Sequence, residues 1–489
     1  MSDPVPSDPP RIRLAKGGAI LLEEAGFRVI AARGWRRSPL HPYTSLTHLC
    51  LAHRALLIGT KHGLIVVPTR DFVDPERGPA AARDALIARL AEQPEGTAVL
   101  RAMARVEDLS TRRHPLYALW ATIALCLLGT AFQLADPLVD QVGAFVPELF
   151  ARGESWRAIT AHFLHALPAE PGFVAQWIPG LRGLPIHLAI NVAGLFVLGP
   201  LVERPLGSWR AALVLMLSGV GTVAGIVFAG HHEVLGASGL VAGLAGAILA
   251  LEVHFPESLS SDWRLPRRLF VTAVVLQFGV IDPLLRSFIA GGAHLGGFVG
   301  GYAAAWWLGA ADLDSPGFAS RLRFAALCGL AAIGAGGIGI VPLARHDQSA
   351  LERHAMRLLD IPAAPHLLFH ENAAAWFIAT EPEPSAAGIE LAVLLADRAV
   401  ATTERLHPGL LDTLAEALFQ SGDRVGAILT IDEAILLAPD ERYFIEQRRR
   451  YTGERAADDR PPQPGEEGLD GSPFGDDLPI DPDAPEITL

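Results

Sequence analysis

Four polar side chains stand in otherwise apolar stretches of this sequence, and their types are those of acyl-transfer chemistry: His187, Asn191, Ser238 and His294. A serine hydroxyl becomes a nucleophile when a histidine within hydrogen-bond reach takes its proton. Imidazole, carboxamide and backbone N–H donors can then hold the oxyanion of a tetrahedral intermediate. Each residue alone has a plainer explanation. A single serine in an apolar helix bonds its own backbone, and a single His or Asn bridges neighbouring helices. Their shared position argues for chemistry, and it depends on the elements that carry them.

Uncharged apolar runs at 115–135, 184–202, 211–230, 287–310 and 324–344 are long enough to cross ~30 Å of hydrocarbon. The run 234–251 is slightly shorter, and 269–281 crosses only with borrowed flanks, so seven spans are expected. Arginines at 101, 105, 112 and 113, at 204 and 210, at 264, 267 and 268, and at 321 and 323 fall in every second connection, which places those connections and the N-terminus in the cytoplasm. The second, fourth and sixth spans then begin at the outer face. At ~1.5 Å per residue, His187 lies ~5 Å into its run, Ser238 ~6 Å, and Asn191 and His294 ~10 Å. Gly239 and Gly243 form a GxxxG face beside Ser238. Gly292, Gly296 and Gly300 bracket His294, with Gly297 and Gly301 beside them. Glycines at this spacing let helix backbones approach closely, so a tight contact between the fourth and sixth spans is expected. Gly236 gives the loop entering the fourth span freedom to present Ser238. With no Asp or Glu inside a span to orient His294, a Ser–His dyad is expected.

The same residues carry a resemblance. GASG at 236–239, AHLGG at 293–297 and HLAIN at 187–191 resemble the signature of rhomboid intramembrane serine proteases. ESWRAIT with Trp156 and Arg157, His165 in HFLHA, and Glu203-Arg204 also fit, and the resemblance covers roughly residues 116–344. It implies six spans plus a C-terminal seventh, with Ser238 as nucleophile and His294 as base. His187, Asn191, Gly236 and Gly239 would support the site and its oxyanion, and the short fifth run would be a lateral gate. Substrates would be membrane proteins cut in or near their transmembrane segments. One departure is the stretch of about twenty residues between His165 and His187, read as an interfacial insertion that bears on specificity. The alternative is a catalytically inactive rhomboid-like protein that binds membrane clients.

Composition narrows the rest. Of the formal charge of −13, the segment from Glu454 onward carries eleven acidic side chains against two arginines, so the remainder is near neutral and offers no basic face for nucleic acid. Cys50, Cys126 and Cys328 lack ligand-like spacing. There is no HExxH, and no thiol or second His–carboxylate set is expected to accompany His231-His232 in the GHHEV loop, so neither metal nor cofactor is expected. The fold class expected is mainly α: a polytopic membrane bundle with small soluble flanks. Residues 1–110 read as a cytoplasmic sheet closed by one helix, similar to a pleckstrin-homology-like module, with a hairpin at Lys61–Gly63. Residues 111–345 form the membrane domain. Residues 346–452 resemble a tetratricopeptide array: Leu414, Ala415, Gly422, Ala427, Ala434 and Pro439 follow that spacing and Ala392 and Ala399 echo it. This region is expected to bind protein partners outside the cytoplasm. Residues 453–489 form an acidic tail expected to be disordered. The chain is expected to be a multi-pass protein of the cell membrane.

Overall fold

The computed structural model describes residues 10–30, 39–52, 54–111, 115–167, 185–256, 259, 265, 267–286, 289–310 and 316–461. Most of the expected 166–185 insertion and nearly all of the acidic tail fall outside these residues.

Short alternating segments build the N-terminal unit. Strands β1 (Arg11–Arg13), β2 (Ala19–Leu22), β3 (Gly26–Ile30) and β4 (His41–Pro42) form one antiparallel sheet, and β5 (Leu46–Ala52), β6 (Ala55–Thr60) and β7 (Gly63–Pro68) form a second. Thr60 pairs with Gly63 across the Lys61–His62 turn, at the expected hairpin. Helix α1 (Gly78–Ala91) turns Ala82, Leu86 and Leu90, each four residues apart, into a core with Ile20, Phe27, Leu56 and Ile58. The expectation of one sheet and one helix was too small. A second helix, α2 (Gly96–Thr111), adds Met103 to the same core.

The membrane part is helical: α3 (Tyr117–Ala135), the short helices α4 (Leu138–Gly143), α5 (Pro147–Ala151) and α6 (Arg157–Thr160) of the first connection, then α7 (Ile186–Leu206), α8 (Ser208–Ala229) and α9 (Ser238–His254). Next, α10 (Arg267–Leu276) runs through a π turn at Gln277–Ile281 into α11 (Asp282–Leu284), followed by α12 (Gly291–Ala310) and α13 (Pro316–Gly337). Four described segments are long and apolar enough to cross a membrane: Tyr117–Ala135, Ile186–Leu206, Ser208–Ala229 and Arg323–Ala344. Ser238–His254 is apolar but shorter. The molecule is an integral membrane protein. At one end of the bundle, the buried Glu203 accepts the Ala118 and Leu119 N–H groups, each at 2.9 Å. A carboxylate thereby satisfies first-turn amides of α3 that have no partner inside their own helix.

Helix α12 is clasped between two neighbours without intervening side chains. A Cβ added at Gly297 or Gly301 would overlap the carbonyl of Gly239 or Gly243, so α12 runs parallel to α9. A Cβ at Gly296 would overlap Gly221, and one at Gly225 would overlap Gly292, so α12 runs antiparallel to α8. The expected close contact of the fourth and sixth spans is present, but through Gly297 and Gly301. The Gly292–Gly296–Gly300 row faces α8 instead.

Beyond the short α14 (Val341–Ala344), six helices follow: α15 (Gln348–Leu359), α16 (Leu368–Thr380), α17 (Ala386–Thr402), α18 (Pro408–Gln420), α19 (Arg424–Leu437) and α20 (Arg442–Thr452). Ala392, Ala399, Ala415, Ala427 and Ala434 are fully buried among them. This unit shares one apolar core with Leu138, Val142, Val146, Leu149 and Trp156 of the connection after α3. At the junction the Arg157 guanidinium is wholly buried. It donates to Glu154 at 2.6 Å, to the Gln141 carbonyl at 2.9 Å and to the Ala144 carbonyl at 2.7 Å. The other Glu154 oxygen lies 2.7 Å from His354 Nδ1 on α15. Burial pushes the Glu154 carboxyl up, but the charges and hydrogen bonds of His354 and Arg157 outweigh it and hold it well below the ordinary value.

A depressed carboxyl stabilises the fold above its unfolded value, near 4.5, and loses that contribution as the pH falls toward its folded value. Docking of the C-terminal helices should therefore weaken progressively below about pH 4.5. At neutral pH, Glu154→Ala should cost ~3–5 kcal/mol by leaving Arg157 buried and unpaired. Hydrogen exchange in α15 and α16 at pH 7 and pH 4 would read both effects.

Candidate active site

Gly236 stands at φ +126°, a conformation that side chains disfavour. Its N–H donates to the Ala161 carbonyl at 2.7 Å, which anchors the loop to the connection after α3. A Cβ at Gly236 would lie 2.7 Å from Cε1 and 2.8 Å from Nε2 of His187, and 3.8 Å from the Asn191 amide nitrogen. Three predicted residues, His187, Asn191 and Gly236, therefore meet at one place. The Ala166 N–H donates to His187 Nδ1 at 3.2 Å, so a neutral ring carries its proton on Nε2, the edge turned to the Gly236 loop. Asn191 is buried and donates to the His187 carbonyl at 3.0 Å. The His165 ring sits edge-on to His187, with centroids 5.3 Å apart.

Ser238 is the first residue of α9 and is partly buried. The opening N–H groups of a helix have no partner inside it and lie at the positive end of its dipole. The next residue, Gly239, is the one whose carbonyl touches Gly297 of α12, one turn beyond His294. It also abuts Thr222 of α8, so three helices converge beside the serine. Glycine at 239 is thus a steric requirement of the site.

His294 is not left to a dyad. Its Nδ1 lies 3.1 and 3.2 Å from the two oxygens of Asp282, which is 5 % exposed. Gln277 Nε2 in the π turn donates to the same carboxylate at 2.7 Å. The expectation that no acidic residue orients His294 is overturned. Asp282 lies just past the fifth apolar run, and the short turn after α11 folds it back against the start of α12. With Nδ1–H directed at Asp282, Nε2 is the nitrogen left to accept a proton. A serine hydroxyl, an imidazole base held by a carboxylate, and imidazole and amide donors at a glycine loop can together carry out acyl transfer.

A second correction concerns His232. Its imidazole stacks on His366, with centroids 4.1 Å apart, and both approach Glu148. A His–carboxylate set therefore does accompany the GHHEV loop, brought there by α5 and by the turn before α16.

A helical membrane bundle with histidine, serine and glycine gathered at converging helix starts is the class of protein that fold and site define. Residues 182–311 match the Rhomboid domain, so the chain carries a rhomboid domain. It is 31 % identical over 223 residues to "Rhomboid protease GluP" of Bacillus subtilis, covering 44 % of this chain and 38 % of that protein. Over 167 residues it is 30 % identical to "RHOMBOID-like protein 6, mitochondrial" of Arabidopsis thaliana, covering 34 % and 47 %. Over 154 residues it is 32 % identical to "Putative rhomboid protease YdcA" of Bacillus subtilis, covering 31 % and 66 %. The chain thus spans 38 % to 66 % of the length of these three relatives.

The glycine contact generates a direct prediction. Gly297→Ala should force α9 and α12 apart and lower stability in detergent by ~1–3 kcal/mol. Gly334→Ala, where a Cβ meets nothing within 4 Å, should leave the thermal midpoint unchanged. Equal shifts in both would show that helix approach is not limiting.

Proposed function

We propose that this protein is an intramembrane serine protease. Ser238 Oγ attacks the scissile carbonyl as His294 Nε2 takes its proton, and His294 then returns that proton to the leaving amine. Asp282 holds the imidazole in the required tautomer and steadies its charged form. The Ser238 N–H with His187 and Asn191 receives the oxyanion, and Gly236 and Gly239 give the loop and helix the required approach. The observation that carries this reading is the Asp282 carboxylate on His294 Nδ1, within 3.2 Å at both oxygens. A structural histidine bridging two helices has no need of a buried carboxylate that fixes its free nitrogen.

The proposed topology has seven spans with the N-terminus in the cytoplasm, and parity supports it. Glu154 of the first outer loop contacts His354 beyond the last membrane helix, so an even number of crossings separates them. The clear apolar helices α7, α8, α9, α12 and α13 make five. Counting α10–α11 as the sixth restores parity and leaves Asp282 at the outer face with His294. The helical region 346–452, read as tetratricopeptide-like, then lies outside the cytoplasm, where it would bind protein partners. Substrates are transmembrane proteins of the bilayer that holds the enzyme, taken to be the cell membrane.

In liposomes holding a single-span substrate, wild-type protein should cut near the outer end of the substrate helix, and Ser238→Ala and His294→Ala should not. Asp282→Asn should lower turnover on the order of 10²-fold with little change in KM, because it alters the tautomer and not substrate binding. Undiminished cutting by Ser238→Ala would sink the reading. Full activity in Asp282→Asn would return it to a dyad.

A further inference from the structure

Three elements distant in sequence place metal-type donors together in a set that includes neither Ser238 nor His294. Glu148 comes from α5, His232 from the connection between α8 and α9, and His366 from the turn preceding α16. Glu148 Oε1 lies 3.4 Å from His366 Nε2 and 3.9 Å from His232 Nδ1. One donor atom from each residue falls within 4.8 Å of the others. Ligand atoms around a tetrahedral zinc with bonds of about 2.0–2.1 Å stand about 3.3 Å apart. The shortest separation here is at that value, and the rest close with small side-chain rotations.

Two further features point to a missing ligand. His366 Nε2 is buried with no hydrogen bond of good geometry, its approach to Glu148 Oε1 being 3.4 Å, and Glu148 Oε2 is buried without a partner. A buried donor or acceptor left unpaired is unfavourable, and a cation between these groups would supply a partner. The backbone around the cluster is independently held: Phe145 and Val234 exchange backbone hydrogen bonds at 2.9 and 3.1 Å, and His370 Nδ1 lies 3.0 Å from the Gln141 carbonyl. The donors thus converge before any ion binds. The side chains of His232 and Glu148 keep 37 % and 31 % of their exposure, which leaves a path for an ion and an open position for water.

We propose that Glu148, His232 and His366 form a divalent-cation site, best suited to Zn²⁺, that clamps the C-terminal helical unit to two outer loops of the rhomboid domain. Two imidazoles and one carboxylate with an open fourth position match borderline-soft zinc and not Ca²⁺ or Mg²⁺, which prefer all-oxygen shells. Because the ligands come together only when the unit is docked, bound metal stabilises docking by mass action.

The test uses full-length, tag-free protein in detergent, stripped with chelator and dialysed against Zn²⁺. Wild type should retain one Zn²⁺ per chain. Glu148→Gln, His232→Gln and His366→Gln should each weaken binding by at least about tenfold. Zinc should slow proteolysis between α14 and α20 in wild type and leave the variants unaffected. X-ray absorption of the wild-type zinc complex needs no variant, and should show two imidazoles and an oxygen donor. No retained zinc, equal retention in the three variants, or a shell lacking imidazole would overturn the site and leave an ion-pair cluster. None of these readouts uses cleavage of a substrate by the protein itself, so their failure and that of the protease reading are separable.

Discussion

The constraint on which everything else rests is the side-chain-free contact of α12 with α8 and α9. In hydrocarbon there is no hydrophobic drive to hold helices together, so packing and polar contacts must do it. Glycines at 221, 225, 239, 243, 296, 297 and 301 let backbone meet backbone on two faces of one helix. The contacts run in opposite senses on those faces, since α8 is antiparallel to both α9 and α12. That arrangement brings the first turn of α9 beside the first turns of α12. The placement of Ser238 relative to His294 is therefore a property of glycines and not of the two polar residues themselves.

A membrane interior penalises each polar group it contains, and several groups of the site are paired. Asp282 accepts from Gln277 and meets His294, and His187 accepts from a loop amide while Asn191 donates to its own helix. The π turn at Gln277–Ile281 contributes here. Its extra residue rotates the end of the helix relative to a regular continuation, so that Gln277 and Asp282, five apart, meet across the turn. Such turns interrupt a short helix at a cost, and they are concentrated where function uses them.

Much of this was legible in the sequence. Apolar length exposed the helices, and small-residue spacing exposed the close contact, because both are local properties. The four polar positions could be grouped from depth alone. Asp282 escaped because an acidic partner was sought only inside the apolar runs, and it lies one step past Ile281. The turn that returns it toward His294 is a tertiary fact, although an Asp-Pro at the outer end of a span, twelve residues before the histidine, was a usable signal. Glu148 and His366 escaped for a stronger reason. No local pattern links a loop glutamate to a histidine beyond the last membrane helix, and only docking of the two regions does so. The N-terminal strands before Ile30 were missed because runs such as Arg11–Arg13 are too short and too charged to show alternation.

That docking bears on the site through a continuous set of contacts. Arg157 holds the carbonyls of Gln141 and Ala144 and shares Glu154 with His354 of the C-terminal unit. The same outer loop presents the Ala161 carbonyl to Gly236 and the Ala166 amide to His187. Its shape rests on the buried Arg157 guanidinium, on the Phe145–Val234 bridge and on the apolar surface supplied by α15 and α16. The donors around Gly236 are then only as well placed as that loop. Their precision is set partly outside the membrane, by helices that carry none of the chemistry.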